Sequence, residues 1–531
     1  LEIENCIAMF DIIIKNGTLI DGSGVPMYRA DIGIKDDKID KIGNLQNEKS
    51  ILEIDATNRL VCPGFVDVNN HSDTSWQIFT NSSLESLIQQ GITTIVGGNC
   101  GSSLAPLLGA KAIASVQKWL SENKTSLDWL SMQEFLAVLE KKKLSVNFAT
   151  LVGQATLRRS ILGDDMRNLS IKEVDFLAKK MSIAMQEGAL GMSSGLVYTH
   201  ARSTTQEELI NLAKTIEKNN GVYVTHMRNE NVDFLNSVEE SIEIARLTKV
   251  KLHISHLKAV GEKNWHLMED ALGLISRARE VGLDVSFDVY PYTSTGSVLY
   301  TLLPNWVTDG GKKMMLNRLK NSEMRARVVA EMRESGIDYS KIEIANSRLN
   351  KTLARRKIVE IATSQEKSIE DAIVDILIAA DGQVVISMDV LSDQNIDLAI
   401  MHPASIIATN GSGYRENHGK TGEVVHPRSF GTFPRILAKY VLGKKILSWE
   451  EAIAKMTSKP AQKFGIKKRG ALKEGNFADI VIVNRDEITD LATTENPYKY
   501  NKGIDLVLVN GQIALQDGVY TGGRFGEVIR K

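Results

Sequence analysis

Four side chains in this chain stand where a cation could be held: His71 in "DVNNHSD", Cys100 in "GGNCG", His226 in "VYVTHMRNE" and His256 in "ISHLK". Each follows directly on an apolar run. A lone histidine is more often a satisfied core or surface group than a ligand, but a thiol and three imidazoles at equivalent places reverse that expectation. A thiolate with two neutral imidazoles makes a three-ligand set for zinc and leaves the fourth position open, as a catalytic site requires. Cys100, His226 and His256 form that set. His71 reaches a second, weaker metal or the substrate, or serves as an orienting hydrogen-bonding group. Its neighbour two residues earlier is Asn69, a poor ligand.

The runs that carry these residues must be strands. Apolar segments of suitable length occur at 60–68, 91–98, 147–153, 189–196, 222–226, 251–256, 284–290 and 404–410. Between the later ones lie patterns such as "QEELINLAKTIEKN" and "VEESIEIARLTK", with apolar residues at helical spacing. Eight βα units predict a TIM (β/α)8 barrel, whose functional side chains stand at the C-terminal ends of its strands. The polar residues gather there: Asn69 and His71 after the first strand, Cys100 after the second, His226 and His256 at the fifth and sixth, Asn410 at the eighth.

Short alternating strands before residue 59 return only in "GNFADIVIVN" and "IDLVLVNGQIALQDG", which predicts a small β-sandwich completed by both chain ends. The expected limits are 9–59 with 460–531 for the sandwich and 60–459 for the barrel. An insertion at about 304–358 carries the basic, Met-rich "GGKKMMLNRLKNSEMRARVVAEMRE". It reads equally as a lid over the active-site face and as a solvated helical excursion.

Composition narrows the partners. The 531 residues are 43% hydrophobic and 24% charged, and 64 basic against 65 acidic side chains give a formal net charge of −1, so nucleic acid is not expected. No run approaches the ~18 apolar residues of a membrane span, and no basic leader precedes the apolar patch in "LEIENCIAMF". A cytoplasmic chain is expected, with Met9 as its natural start because Leu1 is not an initiator. Cys6, Cys62 and Cys100 are too few and too scattered for a disulfide framework, and Cys62 reads as a buried core thiol. Gly97, Gly98 and Gly101 fit close backbone approach around Cys100 rather than a phosphate cradle. Ser448 and Glu451 form a capping box that opens the helix of "ILSWEEAIAKMTSKPA".

Taken in order, "PGFVDVNNHSD", "GITTIVGGNCGSSLAP", "GALGMSSGLVY", "YVTHMRNE", "ISHLKAVG", "DVYPYT", "HPRSFGTFPRIL" and "GALKEGNFADIVIVN" resemble the signature segments of the N-acyl-D-amino-acid deacylases, or D-aminoacylases, of the amidohydrolase superfamily. The resemblance runs from about Phe10 to the C-terminus. It implies that Cys100, His226 and His256 bind zinc and that the substrate is an N-acyl amino acid of D configuration. It also implies a clamp for the substrate carboxylate made by Tyr198, Lys258, Tyr290 and Arg428. An arginine fork with an ammonium and phenols is a sound carboxylate receptor.

Two positions depart from the family. The first histidine of its HxH pair is Asn69, and its strand-eight aspartate, the general base, is Asn410 in "ATNGSG". An amide can neither take a proton from water nor give one to a leaving amine, and losing a positioned base removes about 10²–10⁴-fold of rate. Asp73, His200 and Glu230 are the replacements nearest in sequence, and His200 stands out because family members usually lack a histidine in the "VYTHA" position. The leading expectation is hydrolysis of an N-acyl-D-amino acid with one tight zinc, a second site being weak or absent. The alternatives are a diverted enzyme, performing acyl transfer, amide-forming cyclisation or elimination on a similar carboxylated substrate, and a catalytically silent binding relative.

Overall fold

Each apolar run that sequence marks as a barrel strand contains one parallel strand buried along nearly its whole length. The computed structural model describes residues 9–117, 127–163, 165–335 and 337–531, so Cys6 lies outside the described residues. The strands are β1 (Phe65–Asp67), β2 (Ile92–Gly97), β3 (Asn147–Thr150, continued by Val152–Gly153), β4 (Gly191–Gly195), β5 (Val222–His226), β6 (Lys251–Ile254), β7 (Val285–Val289) and β8 (Ser405–Ile407). They pair in sequence order as two parallel arcs, β1 to β3 and the end of β3 through β8. Leu190 N donates to Thr150 O at 2.9 Å and joins the arcs at β3.

At the other edge a side chain replaces the ladder. Asp67 accepts from Thr409 N at 2.9 Å and from Thr409 Oγ1 at 2.6 Å, and a parallel bridge links Asn70 with Gly411. Val66, Val96, Leu151, Leu190, Val224 and Ile406 fill the space between the strands, closed off below by Phe464 and Ile466.

Amphipathic helices alternate with these strands. Gln206–Lys218 buries Leu209, Leu212, Ala213 and Ile216, the i, i+3, i+4, i+7 stripe of a helix lying on a sheet. The Thr205 side chain accepts from Glu208 N at 3.2 Å and caps its start. The expected capping box at Ser448 is present: its hydroxyl accepts from Glu451 N, and Glu451 accepts from Ser448 N at 3.0 Å. Among the described residues no helix is long and apolar enough to cross a membrane.

The run 60–68 is divided between two sheets. Leu60–Pro63 pairs antiparallel with Ile480–Val483 in a seven-stranded sheet, and the chain enters the barrel only after Gly64. Any side chain at Gly64 would come within 2.2 Å of Thr93 Oγ1, so the crossover needs glycine. Cys62 is therefore a buried thiol of the seven-stranded sheet, not of a barrel strand. That sheet packs on a four-stranded one built from Phe10–Lys15, Asp31–Lys35, Lys38–Gly43 and Ser50–Asp55, with Ile12, Ile34, Val61, Ile480, Ile482 and Leu508 between them.

The excursion after β7 is longer than the expected 304–358. It starts with strand Ser294–Val298, which pairs antiparallel with Val384–Asp389, and this in turn pairs with Ile342–Ser347. The unit therefore closes only at residue 389, around a core of its own that includes Leu299, Leu319, Val328, Ile373 and Ile386. Its last strand, "VVISMD", has the alternating burial that sequence could have signalled.

Candidate active site

Three strand ends turn left-handed as they leave the barrel. Cys100 (φ 52°), His256 (φ 35°) and Asn410 (φ 46°) all hold positive φ. For residues other than glycine this conformation costs on the order of 1–3 kcal/mol, and it persists only where surrounding structure enforces it. Around Cys100 the enforcement is visible. Gly98 N donates to Asp73 Oδ2 at 2.7 Å, Gly101 N donates to Ser193 Oγ at 2.9 Å, and Ser193 Oγ donates to Gly98 O. A side chain at Gly195 would approach Cys100 O to 2.1 Å, so β4 lies directly against this loop.

The result is a tight group of three donors. Cys100 Sγ is 3.7 Å from His256 Nε2, which is 3.1 Å from His226 Nδ1, and one ligand atom from each residue lies within 4.8 Å of the others. The two imidazoles meet edge to face, with ring centres 4.3 Å apart. All three residues are buried. Burial pushes the Cys100 thiol up to about 12 and drives the His226 imidazole well below its ordinary range. Three buried donors converging on one point, one of them an ionisable thiol, are what a divalent cation needs, since the cation supplies the charge that lets the thiol ionise. The nitrogen and sulfur donor set fits zinc.

Beside this group stands a guanidinium. The Arg428 guanidinium lies 4.9 Å over the Tyr290 ring, and its Nε and Nη1 are buried with no hydrogen-bond partner among the described residues. Its backbone is held by His426, whose Nδ1 accepts from Arg428 N at 3.1 Å while Nε2 lies 2.8 Å from Ser294 Oγ. Burial keeps that imidazole neutral. Tyr290 donates to Thr295 Oγ1 at 3.0 Å, so the first strand of the excursion braces both Arg428 and Tyr290. Tyr198 meets His226 edge to face at 5.2 Å, and burial raises its phenol well above the usual value.

The remaining residues marked by sequence are distributed as follows. Lys258 is engaged within the protein rather than open to a ligand: its Nζ is 2.5 Å from Glu230 Oε1 and 2.9 Å from His256 Nδ1. His71 Nε2 lies 2.9 Å from Asn410 Oδ1 and 3.9 Å from Cys100 Sγ. Asn69 turns away from the donors and gives its Nδ2 to both oxygens of Asp288 at 3.2 Å. Asp73 is buried under the Cys100 loop, and His200 stacks parallel to Tyr198 with ring centres 6.1 Å apart.

Sequence reasoning missed the pair Asp288 and His253, whose Nε2 lies 3.0 Å from Asp288 Oδ2 inside the barrel. A histidine in the middle of the apolar run "KLHISH" was the available signal.

A model of the amidohydrolase family matches residues 52–360 and 424–515, which carry the donor group and Arg428. A D-aminoacylase from Alcaligenes xylosoxydans xylosoxydans is 31% identical over 522 residues, 98% of each chain. The chain belongs to the D-aminoacylase branch of the amidohydrolase family. An N-acyl-D-glutamate deacylase from the same organism is 30% identical over 94% of this chain and 93% of its own. Among solved structures, the N-acyl-D-glutamate deacylase of Bordetella bronchiseptica superposes with a TM-score of 0.83 at 28% identity, covering 98% of this chain and all of that one. It was crystallised with zinc and a phosphonate mimic of the tetrahedral intermediate. A D-aminoacylase structure described with a binuclear metal centre superposes equally well, at 29% identity and with the same coverage. This branch has the D-aminoacylase fold, a TIM barrel with a second domain.

Proposed function

We propose that this chain is a zinc-dependent amide hydrolase that deacylates N-acyl-D-amino acids with one metal. The observation that carries the reading is Arg428. A guanidinium with two buried, unpartnered nitrogens is costly unless an anion joins it, and its charge is felt at Cys100, His71 and Tyr198. A carboxylate seated there leaves the neighbouring acyl amide facing the Cys100, His226 and His256 donors. Zinc held by those residues supplies Lewis acidity toward an amide carbonyl and toward water.

The protein's own residues do the rest. Arg428 and Tyr290 fix the carboxylate, and Tyr198 lines the donor group from the β4 side. Lys258 reaches the carboxylate only by sharing its ammonium with Glu230. Asn410 can hydrogen-bond but cannot carry a proton, so turnover proceeds without the carboxylate usual at this place. Of the three replacement candidates, Asp73 lies under the Cys100 loop and Glu230 behind the two histidines. His200, partly exposed beside Tyr198, is the one we retain for proton exchange with substrate.

The same reading joins the two strand arcs into one closed (β/α)8 barrel, with the sandwich from both chain ends on one side and the excursion over the catalytic mouth. A single metal is supported by the amides: Asn69 is committed to Asp288, and Asn410 to His71. The deacylase relatives favour hydrolysis, and neither a diverted nor a silent role finds support among them. Zinc analysis with an assay of free amine from N-acetyl-D- and N-acetyl-L-amino acids tests the proposal. Bound zinc with D-selective release is expected; a zinc-replete protein inert toward every N-acyl amino acid would refute it.

A further inference from the structure

One carboxylate stands behind both imidazoles of the donor group. Glu230 Oε1 lies 3.1 Å from His256 Nδ1, and Oε2 lies 3.7 Å from His226 Nε2. These are the nitrogens turned away from the cluster, since His256 Nε2 and His226 Nδ1 face each other at 3.1 Å. A neutral imidazole that ligates through one nitrogen carries its hydrogen on the other. A cation between His226 Nδ1 and His256 Nε2 therefore directs both hydrogens toward the same carboxylate. The contact to His256 has hydrogen-bond length; that to His226 is a longer electrostatic approach.

The carboxylate is itself held. Lys258 Nζ is 2.5 Å from Glu230 Oε1 and 3.4 Å from the His256 carbonyl. Glu230 thus stays an acceptor. With His256 Nδ1 carrying a hydrogen, the 2.9 Å approach of Lys258 Nζ to that nitrogen brings two donors together. Glu230 faces both and makes the approach tolerable.

We infer that Glu230 is a positioning residue shared by His226 and His256, selecting in each the tautomer whose lone pair faces the metal position. The inference deepens the zinc reading above and rests on it. It gives Glu230 a task other than general base, and it makes the Lys258 ion pair part of the metal support.

Zinc competition against a chromogenic chelator tests it, using full-length native protein, Glu230→Gln, Lys258→Gln and the double variant, alongside spectra of their cobalt(II) forms. Glu230→Gln is expected to weaken zinc binding by about 10–100-fold and to shift the cobalt ligand-field and thiolate charge-transfer bands. Lys258→Gln should stay nearer to native than to Glu230→Gln. Should the single Gln variant fail to fold around an unpaired ammonium, the double variant removes both charges and should show the same loss. Native-like zinc affinity and unchanged cobalt bands in either Glu230 variant would overturn the inference. Failure of native protein to take up zinc would instead refute the hydrolase reading, so the two failures are distinct.

Discussion

His71 Nε2 lies 2.9 Å from Asn410 Oδ1 and ties the loop after β1 to the end of β8. An amide oxygen only accepts, so the hydrogen of this pair sits on His71 Nε2. Burial moves that imidazole down to about 4 and keeps it neutral. The nitrogen nearest Cys100 Sγ, at 3.9 Å, thus offers a hydrogen rather than a lone pair. Asn69 is bound to Asp288, so both positions that depart from the family hold amides already engaged within the protein.

Supplying the carboxylate should speed the chemistry. Asn410→Asp is expected to raise amine release from an N-acetyl-D-amino acid by about 10²–10⁴-fold. Combined with Asn69→His it should also raise bound zinc from one equivalent toward two, read by elemental analysis. An Asp variant no faster than native would mean that the missing base does not limit this chain.

The thiol should be indispensable to the metal. Cys100→Ala leaves two imidazoles, and purified protein is expected to lose its zinc while keeping its circular dichroism. Full metal content in that variant would remove Cys100 from the ligand set.

Arg428 should act on substrate binding more than on turnover. Charge-assisted hydrogen bonds contribute about 1.5–3 kcal/mol, so Arg428→Gln should raise KM by roughly 10–100-fold with a smaller change in kcat. The carboxamide analogue of the substrate should lose its disadvantage in the variant. A KM within twofold (~0.4 kcal/mol) of native for the carboxylate would place the receptor elsewhere.

The seam between β8 and β1 should show in the pH dependence of stability. Burial raises the Asp67 carboxyl from 3.8 to about 6, against the hydrogen bonds from Thr409 and Asn70. A carboxyl whose folded value is raised contributes stability that is full below its unfolded pKa and is lost as pH rises through the folded one. Between about pH 4.5 and about pH 7.5 that loss is about 2 kcal/mol. Asp67→Asn costs part of the Thr409 contact at any pH, but its deficit relative to native should shrink by that amount over this range. Urea unfolding of the metal-free proteins at the two pH values measures it, and a constant difference would contradict the assignment.

Much of this molecule was legible in one dimension. Apolar runs between amphipathic stripes named every barrel strand, because burial on both faces of a parallel strand leaves a continuous hydrophobic record. The donor cluster was legible because parallel strands of this fold present polar groups at their ends: Cys100 follows the run 91–98, and His226 and His256 end the runs 222–226 and 251–256. That strands from both chain ends share one pair of packed sheets followed from alternation that returned only at the far end of the chain. The excursion was under-measured because Val384–Asp389 pairs with Ser294–Val298, a partner some ninety residues earlier.

What the amino acids alone determined, then, was the set of strands, the donor types and the two amides at positions 69 and 410. Which nitrogen of His226 and of His256 faces the other donors, and that one glutamate stands behind both, were decided by tertiary structure. So were the left-handed turns at Cys100, His256 and Asn410, the two buried guanidinium nitrogens of Arg428 left without a partner among the described residues and the pairing of Lys258 with Glu230. The reason is physical: side-chain direction and hydrogen-bond partnership depend on local backbone turns and on neighbours brought together from separations between 4 residues, as for His226 and Glu230, and 339, as for His71 and Asn410, and neither leaves a trace in local composition.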